Sequence, residues 1–408
     1  MSRGIMATRR TRVARAIVER ALAHARAAST DPSHRARVEV HDPRVYERVL
    51  RNGGIGLGES YADGWWDTDN LSGLLRLALH GLQPLHDRQD RVHRALSPLV
   101  DPIARMHRAD PARDLRNVRA HYDIGNEFFR RILDDTMAYS CAVFDTPTTT
   151  LADASRAKFD RIARMAGLAP GDRLLEIGTG WGGFALHAAE RYGCRVTTTT
   201  ISRRQFEFAL ERVRRSGLSD RITVLESDYR SVRGPFDKIV SIEMIEAVDW
   251  REYDTFFEHV RALLTDEGSL TMQAIVVPDH SFDRLKRRTD FIKAAIFPGG
   301  CLPSVGALTA AANRSGELAL HDRVDIGRHY AETLRRWRAN LDDIAPGLSD
   351  LGLDERFARL WRFYFAYCEA GFDEGYISVA QLSYAAAGAA PVPHAARPAR
   401  ATSTTARV

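Results

Sequence analysis

A glycine-rich turn after an apolar strand is the first feature of the sequence that could do chemistry. The segment LLEIGTGWGGF places Gly178, Gly180 and Gly182 between a predicted strand, 174–177, and a predicted helix. Glycine lets the backbone turn sharply and approach a ligand closely. Because Gly178, Gly180 and Gly183 also satisfy the dinucleotide pattern G-x-G-x-x-G, the turn alone leaves the cofactor open.

Two observations favour S-adenosylmethionine over a nicotinamide dinucleotide at this turn. The next predicted strand, RVTTTTISRRQ, has no acidic residue where a nicotinamide site would grip the ribose. In addition, Glu176 stands two residues before Gly178. The resulting E-x-G-x-G-x-G arrangement resembles the first motif of S-adenosylmethionine-dependent methyltransferases, whose acidic residue supports the methionine end of the cofactor.

A carboxylate and a tyrosine are further candidates for chemistry. Glu246, in SIEMIEAV, follows an apolar strand, where a buried carboxylate is costly unless it has a partner, and this favours a functional role. Tyr364 lies on an aromatic helix face, for which spacing alone predicts core packing. Cys141 by itself would be an inert buried thiol.

The elements that must position these residues alternate along the chain. Predicted strands and helices are Arg173–Ile177, Trp181–Tyr192, Arg195–Thr200, Arg203–Ser216, Ile222–Glu226, Lys238–Ile242, Ser269–Val276 and a late strand, Tyr376–Tyr384. The alternation predicts an α/β fold with a Rossmann-like parallel sheet and helices on both faces. Residues 278–315 break the alternation and are predicted to form an inserted helical cap.

Four segments are predicted along the 408 residues: a basic arm, a small N-terminal domain, the methyltransferase domain and a disordered tail rich in Ala, Pro, Ser and Thr. Their ranges are 1–35, 36–114, 115–386 and 387–408. The basic, proline-punctuated residues 97–118 are interpreted as a linker or lid.

The charge of the chain predicts an anionic partner. Lysine and arginine number 58 against 53 acidic residues, which gives a net charge of +5. Nucleic acid and a phospholipid surface are the two classes that such a charge favours. In the predicted helix 11–28, Val13, Ile17, Val18 and Leu22 can form an apolar stripe beside arginines, as in helices that lie on anionic lipid. A solvated arm explains the same pattern equally well.

The sequence also predicts the cellular compartment of the protein and whether it has a metal site. It has no run of 18 apolar residues, and the N-terminus has no signal-peptide pattern, so we predict a cytoplasmic protein. The four cysteines, at 141, 194, 301 and 368, form no C-x-x-C pair. Neither structural zinc nor another metal site is therefore predicted.

Several long motifs resemble those of cyclopropane fatty acyl phospholipid synthases. They are HDPRVYERVL, GLGESYADGWWD, RAHYDIGNEFFRRILDDTMAYSCAVF, SIEMIEAV, FIKAAIFPGGCLPS and HYAETLRRW. The resemblance covers residues 39–386. It implies methyl transfer from S-adenosylmethionine to a cis double bond of an unsaturated phospholipid acyl chain. A carbocation then loses a proton to a bound bicarbonate ion, and a cyclopropane ring closes.

The resemblance also assigns roles to matching positions. Tyr139 and Ser140 would contact the cofactor, Thr200 and Gln205 its ribose, and Asp228 and Tyr229 its adenine side. The bicarbonate would be held by the Cys141 backbone, Glu246, Gln273 and Tyr364. It further implies a homodimer formed through the first domain and peripheral attachment to anionic lipid at the inner membrane face.

The chain departs from the family pattern at three positions. Gln273 stands where some relatives have His, and its amide can still donate a hydrogen bond. Tyr384 stands where some relatives have a cysteine, which removes a covalent thiol route at that position. Asp249 replaces a usual glycine, which adds a charge and a demand for positive φ on a non-glycine residue.

Other functions remain open beside the cyclopropane product. Actinobacterial relatives that resemble this chain release a different proton and form a 10-methylene branch. A methyltransferase for a soluble small molecule is a second alternative, against which the basic arm and first domain argue. A non-catalytic lipid-binding protein is disfavoured by the intact motifs. No N/D-P-P-Y/F motif follows the fourth strand, so we predict no nucleic-acid partner.

Overall fold

The computed structural model describes residues 9–79 and 124–386, and all structural statements concern these ranges. They contain nine strands in two sheets. The strands are β1 (Val38–Val40), β2 (Trp66–Thr68), β3 (Arg173–Ile177), β4 (Arg195–Thr200), β5 (Ile222–Glu226), β6 (Phe236–Ile242), β7 (Leu264–Val276), β8 (Leu318–Asp325) and β9 (Ser378–Ala386). Strands β1 and β2 pair with each other, and the other seven form the central sheet.

The α-helices of the described residues surround this sheet. They are α1 (Arg9–Ala28), α2 (Val45–Asn52), α3 (Gly54–Ala62), α4 (71–79), α5 (Asn126–Ile132), α6 (Leu151–Met165), α7 (Gly183–Tyr192), α8 (Arg203–Arg215), α9 (Tyr253–Leu263), α10 (Asp279–Leu285), α11 (Phe291–Ala295), α12 (Val305–Ser315), α13 (Arg328–Ile344) and α14 (Glu355–Asp373). Helices α10, α11 and α12 lie between β7 and β8, where the sequence predicts an inserted cap.

The central sheet has the order β5-β4-β3-β6-β7-β9-β8. The pairs from β5 to β7 are parallel, and β9 pairs antiparallel with both β7 and β8. The predicted α/β class is confirmed. Strands β3, β4 and β5 have the predicted bounds, whereas β6 and β7 begin earlier and β8 was not predicted. The helix predicted from Trp181 begins at Gly183, because Gly182 caps it in the left-handed conformation.

Helices cover the sheet on both faces. Successive residues of a strand point to opposite faces, and β3 shows the result. Leu174 packs in a cluster with Phe184 of α7, whereas Leu175 packs in another cluster with Phe256 of α9. Both leucines are completely buried, so β3 holds its carboxyl end rigidly between two helical layers.

The N-terminal residues pack directly on the C-terminal helices. A Cβ atom at Gly58 would lie 2.4 Å from the ring of Phe291 and 2.8 Å from that of Phe363, so α3 approaches the cap and α14 closely. Ser72 Oγ also donates a 2.7 Å hydrogen bond to Glu369 Oε2. The division at residue 114 stays a prediction, because that boundary, the segment 97–118 and the tail 387–408 lie outside the described residues.

Candidate active site

A cavity of about 410 Å³ opens at the carboxyl ends of the parallel strands. Ile177 of β3 pairs with Thr199 of β4 and with Ser241 of β6, so the residues after these strands emerge at one edge. Ligands of open α/β sheets bind at this edge. The predicted site residues in the cavity wall are Tyr139, Ser140, Glu176, Gly178, Gly180, Thr200, Gln205, Asp228, Tyr229, Glu246 and Tyr364.

The glycine turn has the backbone conformation that its sequence predicts. Gly178, Gly180 and Gly182 have φ values of 102°, 51° and 85°, which side-chain-bearing residues rarely adopt. A Cβ atom at Gly178 would lie 3.3 Å from the Met244 side chain. Gly178 and Gly180 border the cavity, but Gly182 does not: it begins α7 and packs against Ala209. The turn thus leaves room for a ligand beside its first two glycines.

Glu176 ends up buried beside this turn. Only 2% of the residue is exposed, and its Oε2 accepts a 2.6 Å hydrogen bond from Thr198 Oγ1. Burial raises the pKa of Glu176 to about 8, against the opposing effect of the Thr198 hydrogen bond. The carboxyl group is therefore protonated near neutral pH and can donate as well as accept a hydrogen bond.

The end of β4 carries a neutral polar pair. Thr200 Oγ1 donates a 2.8 Å hydrogen bond to Gln205 Oε1, and both residues are buried at the cavity wall. Ser202 fixes the start of α8, since its hydroxyl accepts from the Gln205 backbone N–H. An amide side chain therefore occupies the place where a nicotinamide site would have an acid.

Asp228 and Tyr229 follow β5 on the far side of the cavity. The Asp228 carboxylate accepts hydrogen bonds of 2.9 Å and 2.7 Å from the Arg230 guanidinium, so it is paired at the rim. The Tyr229 carbonyl accepts a 2.9 Å hydrogen bond from His259 Nε2, which fixes the loop on α9. Burial raises the pKa of the Tyr229 hydroxyl to about 12, so this tyrosine stays neutral.

Two tyrosines from distant parts of the chain meet across the cavity. The hydroxyl oxygens of Tyr139 and Tyr364 lie 3.0 Å apart, although 225 residues separate them in sequence. The Phe297 ring, from the cap, stands 6.0 Å from the Tyr364 ring. Aromatic faces exclude water and attract positive charge. This wall therefore suits a reaction in which a cation forms.

A pair of glutamates follows β6 at the same edge, and sequence reasoning identified only the second. Glu243 Oε1 accepts hydrogen bonds from the Cys141 backbone N–H, at 2.8 Å, and from Gln273 Nε2, at 2.7 Å. Its Oε2 accepts a third from the Tyr330 hydroxyl, at 2.7 Å. Glu246 Oε1 accepts one bond, of 2.6 Å, from the Ile275 N–H. Glu246 Oε2 is buried without a hydrogen-bond partner.

These contacts divide the charge between the two carboxyl groups. Burial raises the pKa of Glu246 to about 8, and the neighbouring Glu243 adds to the effect. Burial also raises the pKa of Glu243, but its three donors oppose that rise. Because two adjacent buried carboxyls do not both ionise readily, the negative charge belongs on Glu243 and the proton on Glu246.

Cys141 and Gln273 lie behind the cavity wall, and both donate hydrogen bonds to Glu243. The Cys141 thiol is buried, with its sulfur 3.8 Å from the Ile326 carbonyl, and burial raises its pKa far above the usual value. Gln273 Oε1 accepts a 2.9 Å hydrogen bond from Gln381 Nε2, directly across the β7–β9 pairing. That bond turns the Gln273 amide nitrogen towards Glu243.

Lys158 is a second residue that sequence reasoning missed. It lies on α6 with no solvent exposure, and its Nζ donates a 2.6 Å hydrogen bond to Ser140 Oγ. The signal was present in the spacing, because Lys158 interrupts the buried stripe formed by Ala154, Ile162 and Met165. A lysine on an apolar helix face requires a buried partner.

The expectation for Asp249 was wrong. Its φ is −61°, an ordinary value, so the position makes no demand for a positive φ. The Asp249 side chain accepts from the Arg251 backbone N–H at 2.9 Å and caps the short helix Trp250–Glu252. It also pairs with the Arg251 guanidinium at 2.7 Å, which neutralises the added charge. Aspartate suits this position because it favours helix N-caps.

Comparison with known proteins identifies relatives over most of the chain. The family described as mycolic acid cyclopropane synthetase matches residues 109–382. The tuberculostearic acid methyltransferase UfaA1 of Mycobacterium tuberculosis is 39% identical over 350 residues, covering 84% of this chain and 81% of that protein. The cyclopropane-fatty-acyl-phospholipid synthase of Escherichia coli K12 is 35% identical over 346 residues, covering 83% and 84%.

Solved structures of cyclopropane synthases are also similar to this chain. The cyclopropane synthase MmaA2 from Mycobacterium tuberculosis superposes with a TM-score of 0.62 at 29% identity, covering 66% of this chain and 98% of that one. The mycolic acid cyclopropane synthase CmaA1, complexed with SAH and CTAB, has the same TM-score at 32% identity, covering 66% and 97%.

Proposed function

Because this chain belongs to the mycolic acid cyclopropane synthetase family and is an S-adenosylmethionine-dependent methyltransferase, we propose that it methylates cis double bonds of unsaturated phospholipid acyl chains, forming cyclopropane rings. The observation that carries the proposal is one cavity in which the glycine turn adjoins the Tyr139–Tyr364 pair and the two glutamates. The part of the cavity beside the glycine turn suits the cofactor, and the part beside the tyrosines and glutamates suits a developing cation.

The residues present fit S-adenosylmethionine. Gly178 and Gly180 border the cavity with positive φ, a Cβ atom at Gly180 would meet nothing within 4 Å, and Gln205 lies where the ribose is expected. Protonated Glu176 would donate towards the methionine end. When bound, the cofactor supplies an electrophilic methyl group.

An alkene makes specific demands that the rest of the cavity meets. It is a weak nucleophile, so it must be positioned close to the methyl group. The cation that results must not meet water. Tyr139, Tyr364 and Phe297 form an aromatic part of the cavity wall, and a carboxylate at Glu243 adds negative charge nearby.

Bicarbonate, which the family resemblance implies as the base, fits the site less well than the methyl donor does. The assignment requires the Cys141 N–H and the Gln273 amide as donors to the ion. Both groups already donate to Glu243 Oε1. We therefore assign no step to a separate bicarbonate ion.

A second product deserves a test because of one comparison. The 39% identical relative is named for tuberculostearic acid and not for a cyclopropane ring. A hydride shift from the methyl-bearing carbon to the cationic carbon, followed by loss of a proton from the added methyl group, would leave a methylene branch. The two products share the cofactor site and the methyl-transfer step, and they differ in whether a hydride shift precedes the loss of the proton.

The outer surface of α1 and α2 supports an anionic membrane as the location of the substrate. Among the described residues, the exposed large hydrophobic side chains are Val13 (57%), Ile17 (50%) and Leu50 (47%), all on these two helices. Exposed arginines share α1 with them at positions 9, 10, 12, 15, 20 and 26. Apolar side chains among arginines suit insertion at a negatively charged lipid surface. No helix of the described residues is long and apolar enough to cross a bilayer.

The assembly state is proposed on the resemblance alone. A homodimer formed through residues 36–114 is the expectation, and light scattering of the full chain would measure it.

The proposed function is tested by expression in a bacterium that lacks its own synthase and receives labelled methionine. Gas chromatography and mass spectrometry of the fatty acid methyl esters give the readout. A labelled CH2 that resists hydrogenation means a ring, and one that hydrogenation converts to a methyl branch means a methylene product. Unchanged phospholipids, with folded protein that binds S-adenosylmethionine, would refute the phospholipid substrate and favour a soluble one.

A further inference from the structure

The donors that a small anionic base would need are occupied by a carboxylate of the chain itself. Glu243 borders the cavity, and its Oε1 receives both the Cys141 N–H and the Gln273 amide. The Tyr330 hydroxyl donates to its other oxygen. Three donors on one carboxylate favour its ionised form, which can only accept.

The local charge balance argues against a further anion. Glu246 lies next to Glu243, and its Oε2 has no hydrogen-bond partner. The Ile275 N–H, a second backbone donor at this edge beside the Cys141 N–H, is already taken by Glu246 Oε1. A bicarbonate ion would bring a second negative charge to a buried site where the nearby backbone donors are engaged.

The backbone is strained where it presents Glu243. The residue has a φ of 49°, in the left-handed region that non-glycine residues avoid. Its N–H donates to the Gln273 carbonyl at 2.8 Å, which holds this conformation against β7. Such strain is concentrated at functional sites, where it sets the direction of a side chain.

We propose that Glu243 is the catalytic base of this enzyme and replaces bicarbonate, an inference that rests on the proposed methyl transfer to a double bond. After the methyl group has been added to one alkene carbon, the positive charge lies on the other alkene carbon, and a C–H bond of the transferred methyl group breaks. The proton passes to a carboxylate oxygen of Glu243, which becomes a neutral acid. The electron pair of that C–H bond joins the methyl carbon to the cationic carbon, which closes the ring and cancels the positive charge. For a methylene product, a hydride first shifts from the methyl-bearing carbon to the cationic carbon, and the same electron pair then forms the C=CH2 double bond. Glu243 then loses its proton to water before the next turnover.

The division of labour between the glutamates follows from their contacts. Glu246, with its single backbone donor, keeps its proton and adds no second negative charge. Cys141 and Gln273 are positioning residues, since each reaches the reaction only through Glu243. Pairs of carboxyls whose surroundings push their ionisation apart are typical of acid–base sites.

The test compares methyl transfer with and without bicarbonate. Full-length protein is incubated with vesicles of monounsaturated phosphatidylglycerol and methyl-labelled S-adenosylmethionine, and label in the lipid fraction is counted. Buffers are freed of carbon dioxide under argon, with and without added sodium bicarbonate. We expect the wild-type rate to be the same in both. A wild-type rate that collapses without carbon dioxide and returns with bicarbonate would overturn the inference.

Two substitutions at position 243 sharpen the test. Glu243→Gln keeps the shape but cannot take a proton, so the rate should fall about 100-fold with or without bicarbonate. Glu243→Gly suits the left-handed backbone and frees the Cys141 and Gln273 donors. Its rate should be low without carbon dioxide and rise when bicarbonate or formate is added. A Glu243→Gln protein with the wild-type rate would also overturn the inference.

A matched control and a binding measurement separate the explanations. Glu332→Gln makes the same change on α13 in a surface ion pair with Arg336, and should leave the rate unaltered. Calorimetric binding of S-adenosylmethionine shows that each variant is folded. Absence of labelled lipid from wild-type protein in both buffers would refute the proposed function itself, whereas bicarbonate-dependent labelling would refute only the role of Glu243.

Discussion

The Lys158 ammonium group donates a 2.6 Å hydrogen bond to the Ser140 hydroxyl although the lysine has no solvent exposure. Burial lowers the pKa of Lys158 to about 8, and the nearby Glu243 is the strongest of the groups that oppose this effect. The ammonium group also stands 4.3 Å from the centre of the Phe159 ring. Lys158 is therefore a buried cation behind the cavity that offsets the charge of Glu243.

Lys158→Met should destabilise the protein, since it leaves the Glu243 charge buried without its cation. We expect the free energy of unfolding at neutral pH to fall by about 3 kcal/mol, measured by urea denaturation. Lys238→Met is the control, because the Lys238 ammonium lies 3.3 Å from Ser269 Oγ in a half-buried position far from the glutamates. A loss for Lys158→Met no larger than for Lys238→Met would contradict the assigned role.

Tyr330→Phe should change the pH dependence of methyl transfer. The Tyr330 hydroxyl donates to Glu243 Oε2 and thereby lowers the pKa of Glu243. Without this donor that pKa rises, so Glu243 is protonated at a higher pH and the acid limb of the rate profile moves upwards. Tyr192→Phe removes a hydroxyl that bonds to Asp160 outside the cavity wall and should leave the profile in place. An unmoved acid limb in Tyr330→Phe would argue that Glu243 does not titrate in the rate.

The regular part of the fold was accessible from sequence because local pattern determines it. Strands β3, β4 and β5 are short runs of apolar or β-branched residues between helices, and turn residues mark their ends. Strand β8, which reads LALHDRVD, was missed because its burial is mostly partial and its partner β9 lies more than 50 residues away. Only the tertiary pairing with β9 makes it a strand.

The cofactor side of the site was likewise predictable, and the base side was not. The glycine turn follows β3 directly and Thr200 is the last residue of β4, so their place at the sheet edge follows from chain order. Glu243 owes its position to a positive φ and to donors at Cys141, Gln273 and Tyr330, which are far apart in sequence. Such convergence depends on packing that the spacing of residues does not encode.

Glu246→Gln should make the protein more stable at alkaline pH. Burial and the neighbouring Glu243 raise the pKa of Glu246 from its ordinary 4.5 to about 8. An ionised Glu246 would in turn raise the pKa of the buried Tyr253. The stability gained from keeping it protonated is full below the ordinary value and is lost as the pH rises through the folded value. Glutamine has no proton to lose, so the advantage of the variant should grow by an amount on the order of 3 kcal/mol between about pH 5 and about pH 9.

Thermal or urea unfolding across this range measures the effect. Glu332→Gln is the control, because hydrogen bonds to Arg336 and Arg335 lower the pKa of Glu332 in spite of its partial burial. Its difference from wild type should therefore stay constant above about pH 5. If the stability of Glu246→Gln also differed from that of wild type by a constant amount across this pH range, Glu246 would be ionised in the folded protein.

Gly180→Ala and Gly352→Ala separate cofactor binding from backbone strain. The two glycines have φ values of 51° and 72°, and a Cβ atom at either would meet nothing within 4 Å. Each substitution should cost about 1 kcal/mol of stability. Only Gly180 borders the cavity, so its new methyl group should raise the Kd for S-adenosylmethionine about tenfold in calorimetry. Equal affinities in the two variants would place the cofactor elsewhere.

Ile17→Glu tests whether the surface of α1 and α2 meets the membrane. Inserting Ile17 into lipid would remove from water a side chain that is 50% exposed, and replacing it with a charge should weaken sedimentation with phosphatidylglycerol vesicles about tenfold. Ala23→Glu adds the same charge at an exposed position on another side of α1 and should weaken binding much less. Equal losses in both variants would indicate a general charge effect in place of apolar insertion, and unchanged binding in both would assign the membrane contact to a different surface.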